Sequence, residues 1–184
     1  MHDVDAFLIG MKPALYGNTG SPTMINNMDK LLSYPYVTKG IDIFDGQDFF
    51  LFFQNERLKD DFVNQVKNIQ PRSPGFHELL GITLGYPPKA AKFYARCQEN
   101  EHLYDYSIGI MYGGVRCVSH IDEVIENSSW LWDRYTDDKD LRIQINGNHY
   151  SVNQYDTEEL DKVAEVGSQG ILQKRLLKIS LRNN

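Results

Sequence analysis

A two-residue turn at Asn146-Gly147 constrains this 184-residue chain more than any other local feature. The pair favours the type I′ turn that joins two antiparallel strands, because both residue types tolerate a positive φ. The turn fixes the register of a hairpin with these facing pairs: Ile145 and Asn148, Ile143 and Tyr150, Leu141 and Val152, Gln144 and His149, Arg142 and Ser151. One face is apolar and the other polar, so a slip of one residue would expose the apolar set.

Periodicity and turn residues predict the remaining elements. Two further hairpins are expected, one over 108–118 around Gly113-Gly114 and one over 41–53 with its turn at Asp45-Gly46. A loop is expected over 16–22, and a helix capped by Thr157 is expected to break at Gly167 and Gly170. The other predicted helices cover a short N-terminal segment and then 23–34, 56–69, 76–84, 87–98, 121–132 and 171–181.

This order of elements predicts the class of fold. Helices and hairpins are mixed without strict strand–helix alternation, which favours an α+β fold with two or three β-hairpins around one core. Residues 1–100 form a helix-rich part with one hairpin, and residues 101–184 form a hairpin-rich part with C-terminal helices. At this length we expect the two parts to make one compact unit.

Composition excludes several classes of function. The chain has 19 basic and 25 acidic side chains and a formal net charge of −6, which argues against a protein that binds nucleic acid or an anionic membrane. The N terminus is acidic and its apolar stretch is too short for a signal peptide, and no run is long enough to span a bilayer. Two cysteines without a C-x-x-C pattern fit a reducing compartment. We therefore expect a soluble cytoplasmic protein with no membrane partner.

Catalytic and cofactor motifs are incomplete or missing. His77-Glu78 begins like the zinc-protease pattern H-E-x-x-H, but Gly81 occupies the position of the second histidine. Cys97 and Cys117 lack ligand spacing, and Cys117 is expected to be a small buried residue of a strand. The acidic residues between 133 and 140 do not match a calcium loop and are expected to be solvated. We expect no metal and no cofactor, and an enzyme using His77 and Glu78 as an acid–base pair beside Tyr86 is an alternative.

The segment 75–98 supplies a second alternative, a helix–turn–helix that reads DNA. Gly81 and Gly85 suit its first helix and its turn, and Lys89, Lys92 and Arg96 lie on one side of its second helix. The acidic net charge and Pro87-Pro88, which lacks donors where phosphate contacts form, argue against it. An amphipathic helical hairpin with a solvated basic face explains the same residues.

Two tryptophans indicate a surface that binds protein. Trp130 and Trp132 are two positions apart on a predicted helix and point to nearly opposite sides, so one of them is expected to be exposed. Exposed tryptophan and tyrosine are common anchors of protein interfaces.

Two segments resemble a known family. The stretch Leu8-Ile-Gly-Met-Lys-Pro-Ala-Leu15 resembles an L-x-G-x-K-P-A-x-L opening, and Phe76-His-Glu-Leu-Leu-Gly-Ile-Thr-Leu-Gly-Tyr-Pro87 resembles F-P-H-E-I-G-x-F-L-G-Y-P without its first proline. Both are similar to a family of uncharacterised proteins from Gram-positive bacteria and their mobile elements, over the first half of the chain. The resemblance implies no catalytic role. It implies that these residues meet on one surface: Lys12, His77, Glu78, Gly85 and Tyr86.

These observations lead to one expected function. The chain is expected to be a non-enzymatic, acidic binding protein, an accessory or inhibitory factor of phage or prophage origin that acts on a host or bacterial protein such as a defence protein. Its expected partner-binding residues are Lys12, His77, Glu78, Tyr86, Trp130 and Trp132.

Overall fold

The computed structural model describes residues 1–43 and 48–182, with side chains described as far as residue 173. The fold is α+β, as predicted, with two antiparallel sheets among the described residues. The first sheet lies within 14–53, and the second lies within 107–152. The predicted division near residue 100 therefore falls between the two sheets.

The first sheet has three strands in the order β1-β3-β2. They are β1 (Ala14–Asn18), β2 (Tyr36–Val37) and β3 (Phe49–Phe53). The predicted hairpin over 41–53 is wrong, because β3 pairs instead with the distant β1, Ala14 facing Phe53, and with β2. The predicted turn at Asp45-Gly46 lies outside the described residues. The predicted loop over 16–22 is wrong at its start. Residues 14–18 form a strand that pairs with the aromatic strand β3, and Leu15 is buried.

The second sheet has four strands in the order β5-β4-β6-β7. They are β4 (Ser107–Tyr112), β5 (Val115–His120), β6 (Leu141–Ile145) and β7 (Asn148–Val152). Both predicted hairpins of this half are confirmed. The β6–β7 register agrees at all five pairs, and Asn146 and Gly147 have φ of 53° and 86°, as a type I′ turn requires.

Eight α-helices surround the sheets in the described part of the chain. They are α1 (Asp3–Leu8), α2 (Pro22–Ile25), α3 (Met28–Leu31), α4 (Glu56–Val66), α5 (Pro74–Thr83), α6 (Pro88–Glu99), α7 (Val124–Arg134) and α8 (Thr157–Arg182). Asn55 and Ser73 cap α4 and α5 by accepting hydrogen bonds from Leu58 N and Phe76 N.

Two helix predictions need correction. The segment 23–34 forms two short helices, α2 and α3, rather than one. The helix α8 continues through Gly167 and Gly170, and it is capped by Asp156 Oδ1, which accepts from Glu159 N at 2.9 Å, rather than by Thr157. At Gly167 a Cβ would lie 2.8 Å from Ile145 Cδ1, so the glycine permits a close approach to the second sheet instead of ending the helix.

Buried apolar side chains form three clusters rather than one core. One lies between the second sheet, α7 and α8, and another lies between the first sheet, α4 and α5. The third lies between α1, α3 and β3. Tyr86, in the connection between α5 and α6, packs against the first two clusters. This connection therefore joins the two halves of the chain.

Candidate functional site: a polar cleft beside an apolar pocket

Two cavities adjoin near Tyr86. The larger, which we call the polar cleft, has a volume of about 780 Å³ and is lined by Lys12, Tyr86, Met111, Arg116, Asp137 and Arg142, together with the N-terminal residues. The smaller, which we call the apolar pocket, has a volume of about 230 Å³ and is lined by His77, Leu84, Tyr86, Tyr94, Arg116 and Val118, together with other apolar side chains. Tyr86 and Arg116 line both cavities.

Lys12 is the most unusual residue of the polar cleft. Its side chain is only 3% exposed, although lysine is almost never fully buried without a partner. Among the described residues its ammonium has no hydrogen bond and no carboxylate within 4.0 Å. Burial lowers the pKa of Lys12, and the negative charge of Asp3 partly opposes this shift. Lys12 is thus a partly desolvated amine that lines the polar cleft and lacks a partner in the described part of the chain.

The backbone holds Lys12 in place from two sides. Its N–H donates to Ala6 O at the end of α1, 3.2 Å away. Its carbonyl oxygen accepts from Gln54 Nε2 at 3.0 Å, just after β3. The amine is therefore presented from a fixed backbone and not from a loose loop.

Tyr86 is positioned by the end of α5. Gly85 has a φ of 81°, and Tyr86 N donates to Gly81 O at 3.0 Å, the pattern of a Schellman helix end. Gly85 O accepts from Tyr135 Oη at 2.6 Å, and a Cβ on Gly85 would lie 2.9 Å from Pro13 Cδ. This contact brings Lys12-Pro13 against Gly85-Tyr86, so two segments distant in the sequence meet here.

Two arginines flank Met111 on one face of the second sheet. Met111 of β4 faces Arg116 of β5 on one side and Arg142 of β6 on the other. Directly opposed residues point to the same face, and neighbouring strands lie about 4.8 Å apart, so the two arginines start about 10 Å apart. Both are exposed and line the polar cleft.

The polar cleft brings charges of both signs together. Lys12, Arg116, Lys139 and Arg142 supply positive charge, and Asp3, Asp5, Asp137 and Asp140 supply negative charge. Within the described part of the chain, none of these eight side chains has an opposite charge within 4.0 Å. Two carboxylates of the 133–140 segment, expected to lie in a solvated loop, thus line the cleft.

The apolar pocket contains His77 but not Glu78. The His77 ring contacts Tyr94 edge-on, with ring centroids 5.7 Å apart, and burial lowers the pKa of His77. Burial also raises the pKa of Tyr86. Glu78, the next residue of α5, does not line this pocket. His77 and Glu78 therefore do not face one cavity. Of the five residues expected on one surface, Lys12 and Tyr86 line the polar cleft, His77 and Tyr86 line the apolar pocket, and Glu78 and Gly85 line neither.

The basic residues of α6 lie outside both cavities. Lys89 forms an ion pair with Glu126 of α7. Lys92 and Arg96 are exposed on the same helix. One of the three cations expected for DNA binding is thus paired with a carboxylate of the protein itself.

The two tryptophans differ in burial. Trp132 is 3% exposed and packs on Tyr155, so its place among the partner-binding candidates needs correction: the apolar face of α7 buries it against the second sheet. Trp130 is half-buried, with the Arg134 guanidinium 5.7 Å from its ring centre. Trp130 can therefore offer only part of its surface.

The described residues hold no group of three or more histidine, cysteine or acidic side chains placed to bind a metal ion. Cys97 and Cys117 are free and buried. Burial raises the pKa of Cys117 to about 12, which disfavours the thiolate that a nucleophile needs.

Comparisons with protein-family models, with curated proteins and with solved structures gave no match to this chain. In the part of the chain that the structure describes, no helix combines the length and the apolar character needed to cross a membrane.

Sequence reasoning missed Arg116 and Arg142 as cleft residues. The alternation of the two hairpins assigns each to a polar face, which is a local signal. Their shared neighbour Met111 depends on the pairing of β4 with β6, which joins different hairpins and which no turn residue specifies.

Proposed function

We propose that this protein is a non-enzymatic binding protein whose polar cleft recognises an acidic segment of a partner protein. The role that fits is an accessory or inhibitory factor that covers a surface of its partner. A phage or prophage origin, and a host defence protein as the target, extend this proposal from the resemblance of the two motif segments.

The observation that carries the proposal is Lys12, whose side chain is almost entirely buried and whose ammonium reaches the polar cleft without a partner among the described residues. Removing an ammonium from water is costly unless an anion or several acceptors replace the water. A carboxylate entering the polar cleft would supply such a partner through a charge-assisted hydrogen bond. Binding then recovers free energy that the folded protein alone does not.

Arg116 and Arg142 extend the recognition beyond a single charge. Two arginines whose Cα atoms lie about 10 Å apart on one face of the sheet suit two further acidic side chains of an extended segment, in which alternate side chains lie about 7 Å apart. The cleft volume of about 780 Å³ falls in the range of cavities that hold sizeable ligands. These features support a short peptide segment as the ligand.

The four aspartates argue for a protein partner over nucleic acid. A phosphate backbone carries a negative charge at every nucleotide, so some of its charges would face Asp3, Asp5, Asp137 and Asp140 and be repelled. A protein segment can add a basic residue beside its acidic ones. Matching of both signs gives specificity for one partner.

The test is peptide binding measured by fluorescence anisotropy. Labelled hexapeptides rich in Asp and Glu are compared with neutral and Lys-rich hexapeptides, using wild type, Lys12→Met and Lys92→Met. We expect wild type to prefer the acidic set and Lys12→Met to bind it roughly 10- to 100-fold more weakly, the effect of one hydrogen bond to a charged group. Lys92→Met removes the same charge from an exposed site outside the cleft and should bind like wild type.

Two results would overturn the proposal: no preference for acidic peptides, or equal losses in the two lysine variants. Capture from a cell lysate adds a second measurement. A partner identified by mass spectrometry should be retained by Lys92→Met and lost by Lys12→Met.

A further inference from the structure

The volume of the apolar pocket matches one aromatic ring. It measures about 230 Å³, whereas an engineered apolar cavity of about 150 Å³ in another protein holds benzene. A ring with a short substituent therefore fits.

Most of the pocket wall suits an aromatic ring. They include the aromatic side chains Tyr16, His77 and Tyr94 and aliphatic groups such as Leu80, Leu84 and Val118, and Arg116 is the charged residue of the lining. No carboxylate is present among the described residues that line the pocket. His77 and Tyr94 meet edge-on, which leaves edges and faces for a third ring.

Arg116 connects the pocket with the polar cleft. It lies two positions before Val118 on β5, so the two side chains share one face of the sheet. Within the described residues the Arg116 guanidinium has no carboxylate within 4.0 Å. A ring seated against Val118 would place a carboxylate on a short linker within reach of this cation.

We propose that the apolar pocket binds an aromatic ring whose carboxylate, a few bonds away, pairs with Arg116. The ligand class is an aryl group joined to a carboxylate by a short chain. Either a C-terminal Phe or Tyr of a partner protein or a free arylalkanoic acid supplies this chemistry. The inference rests on the proposed function in one respect, because both require the guanidinium of Arg116 to bind an anion.

The experiment uses methyl-labelled protein and four probes followed by NMR. N-acetyl-phenylalanine carries the ring and the carboxylate, its amide lacks the carboxylate, and N-acetyl-alanine lacks the ring. A tetrapeptide ending in Phe represents the protein source. We expect the first probe to shift the methyl signals of Leu80, Leu84 and Val118 and to bind at least about tenfold more tightly than the amide or the alanine compound, as one charge-assisted contact or one buried ring predicts.

The four probes also distinguish the two sources of the ligand, and they distinguish failure of this inference from failure of the proposed function. Tighter binding of the tetrapeptide than of N-acetyl-phenylalanine identifies a protein C terminus, and the reverse identifies a free aryl acid; either supports the inference. Equal binding of the amide or of N-acetyl-alanine overturns it, as does the absence of shifts at the three methyl groups. If acidic hexapeptides still bind under that outcome, the proposed function stands without this inference. If N-acetyl-phenylalanine binds but the acidic hexapeptides do not, the inference stands and the proposed function fails.

Variants make the test specific to the pocket. Val118→Phe fills the pocket from the half-buried face of β5 and should abolish the methyl shifts. Tyr94→Ala widens the pocket and should favour N-acetyl-tryptophan, with its larger ring, over N-acetyl-phenylalanine. The two variants change volume in opposite directions, so a folding defect in one leaves the other informative. Unchanged probe preference in a folded Tyr94→Ala protein would contradict the assignment of the pocket.

Discussion

The polar cleft and the apolar pocket adjoin, and each leaves a different kind of group in an unfavourable environment. In the cleft, burial of the Lys12 side chain partly desolvates its ammonium, which has no partner among the described residues. In the pocket, apolar and aromatic surface is left uncovered beside His77, whose pKa is lowered by burial. The first cost is electrostatic and depends on pH and salt, whereas the second scales with apolar area and depends on them little. The two cavities share Tyr86 and Arg116, so the proposed function and the further inference place a charged and an apolar binding surface side by side.

The largest expected effect concerns the glycines in the two linings. Gly114, in the cleft, has a φ of 75°, and a Cβ there would lie 2.3 Å from Ala6 Cβ of α1. Gly81, in the pocket, would place a Cβ 2.9 Å from Ala91 Cβ without a positive φ. We expect Gly114→Ala to lower the free energy of unfolding by roughly 2–4 kcal/mol and Gly81→Ala by about 1–3 kcal/mol, because only the first adds backbone strain to overpacking. Urea unfolding measures both.

A matched variant separates strain from overlap at Gly114. Gly147 has a φ of 86°, but a Cβ added there would have no atom within 4 Å, so Gly147→Ala tests the strain alone, about 1–2 kcal/mol. A cost at Gly114 no larger than at Gly147 would mean that α1 does not pack against the β4–β5 turn.

Salt should distinguish the two cavities next. Binding of acidic hexapeptides should weaken roughly three- to tenfold between about 50 and 500 mM NaCl, because the exposed arginines are screened. Binding of N-acetyl-phenylalanine amide, which offers no charge, should change little. Isothermal titration at both salt concentrations provides the comparison, and equal salt dependence for the two ligands would remove the distinction between the sites.

The smallest expected effect is the pH dependence that Lys12 adds to stability. Burial lowers the pKa of Lys12 in the folded protein, so the unfolded chain binds more protons between this lowered pKa and the ordinary value of 10.5. Wild type should therefore gain stability relative to Lys12→Met as the pH rises through this window, and the difference should be constant above it. Urea unfolding of both proteins as a function of pH measures this, and a difference that falls with rising pH would contradict the burial of the charged amine.

The parts of the fold that could be predicted are those with local signals. The β6–β7 hairpin follows from Asn146-Gly147 and the alternation beside it, and its register is correct. The first sheet could not be read in this way, because Ala14 pairs with Phe53 across a long separation and no turn joins them. The contact between Pro13 and Gly85 could not be predicted for the same reason, because the two residues are distant in the sequence and no local pattern joins them.

Two residues show how packing overrides a residue's usual preference. Gly167 favours a helix break by itself, but it lies in α8 where its missing side chain admits Ile145 and Ile121. Lys12 favours an exposed position, but its neighbours on both sides fix the backbone and enclose the side chain. The motif resemblance selected Lys12, Tyr86 and His77, whereas their division between two cavities depends on tertiary contacts.

The proposed function requires the amine of Lys12 to receive an anion, and titration of this amine measures whether it does. Lysine side chains labelled with ¹³C and ¹⁵N can be followed by NMR against pH, and the Lys12 signal is assigned by its loss in Lys12→Met. We predict a pKa below 10.5 for Lys12 in the free protein and a higher pKa when an acidic hexapeptide is bound, because the carboxylate stabilises the ammonium. A pKa of Lys12 that does not change when the peptide binds would contradict the proposed recognition of an acidic segment by Lys12.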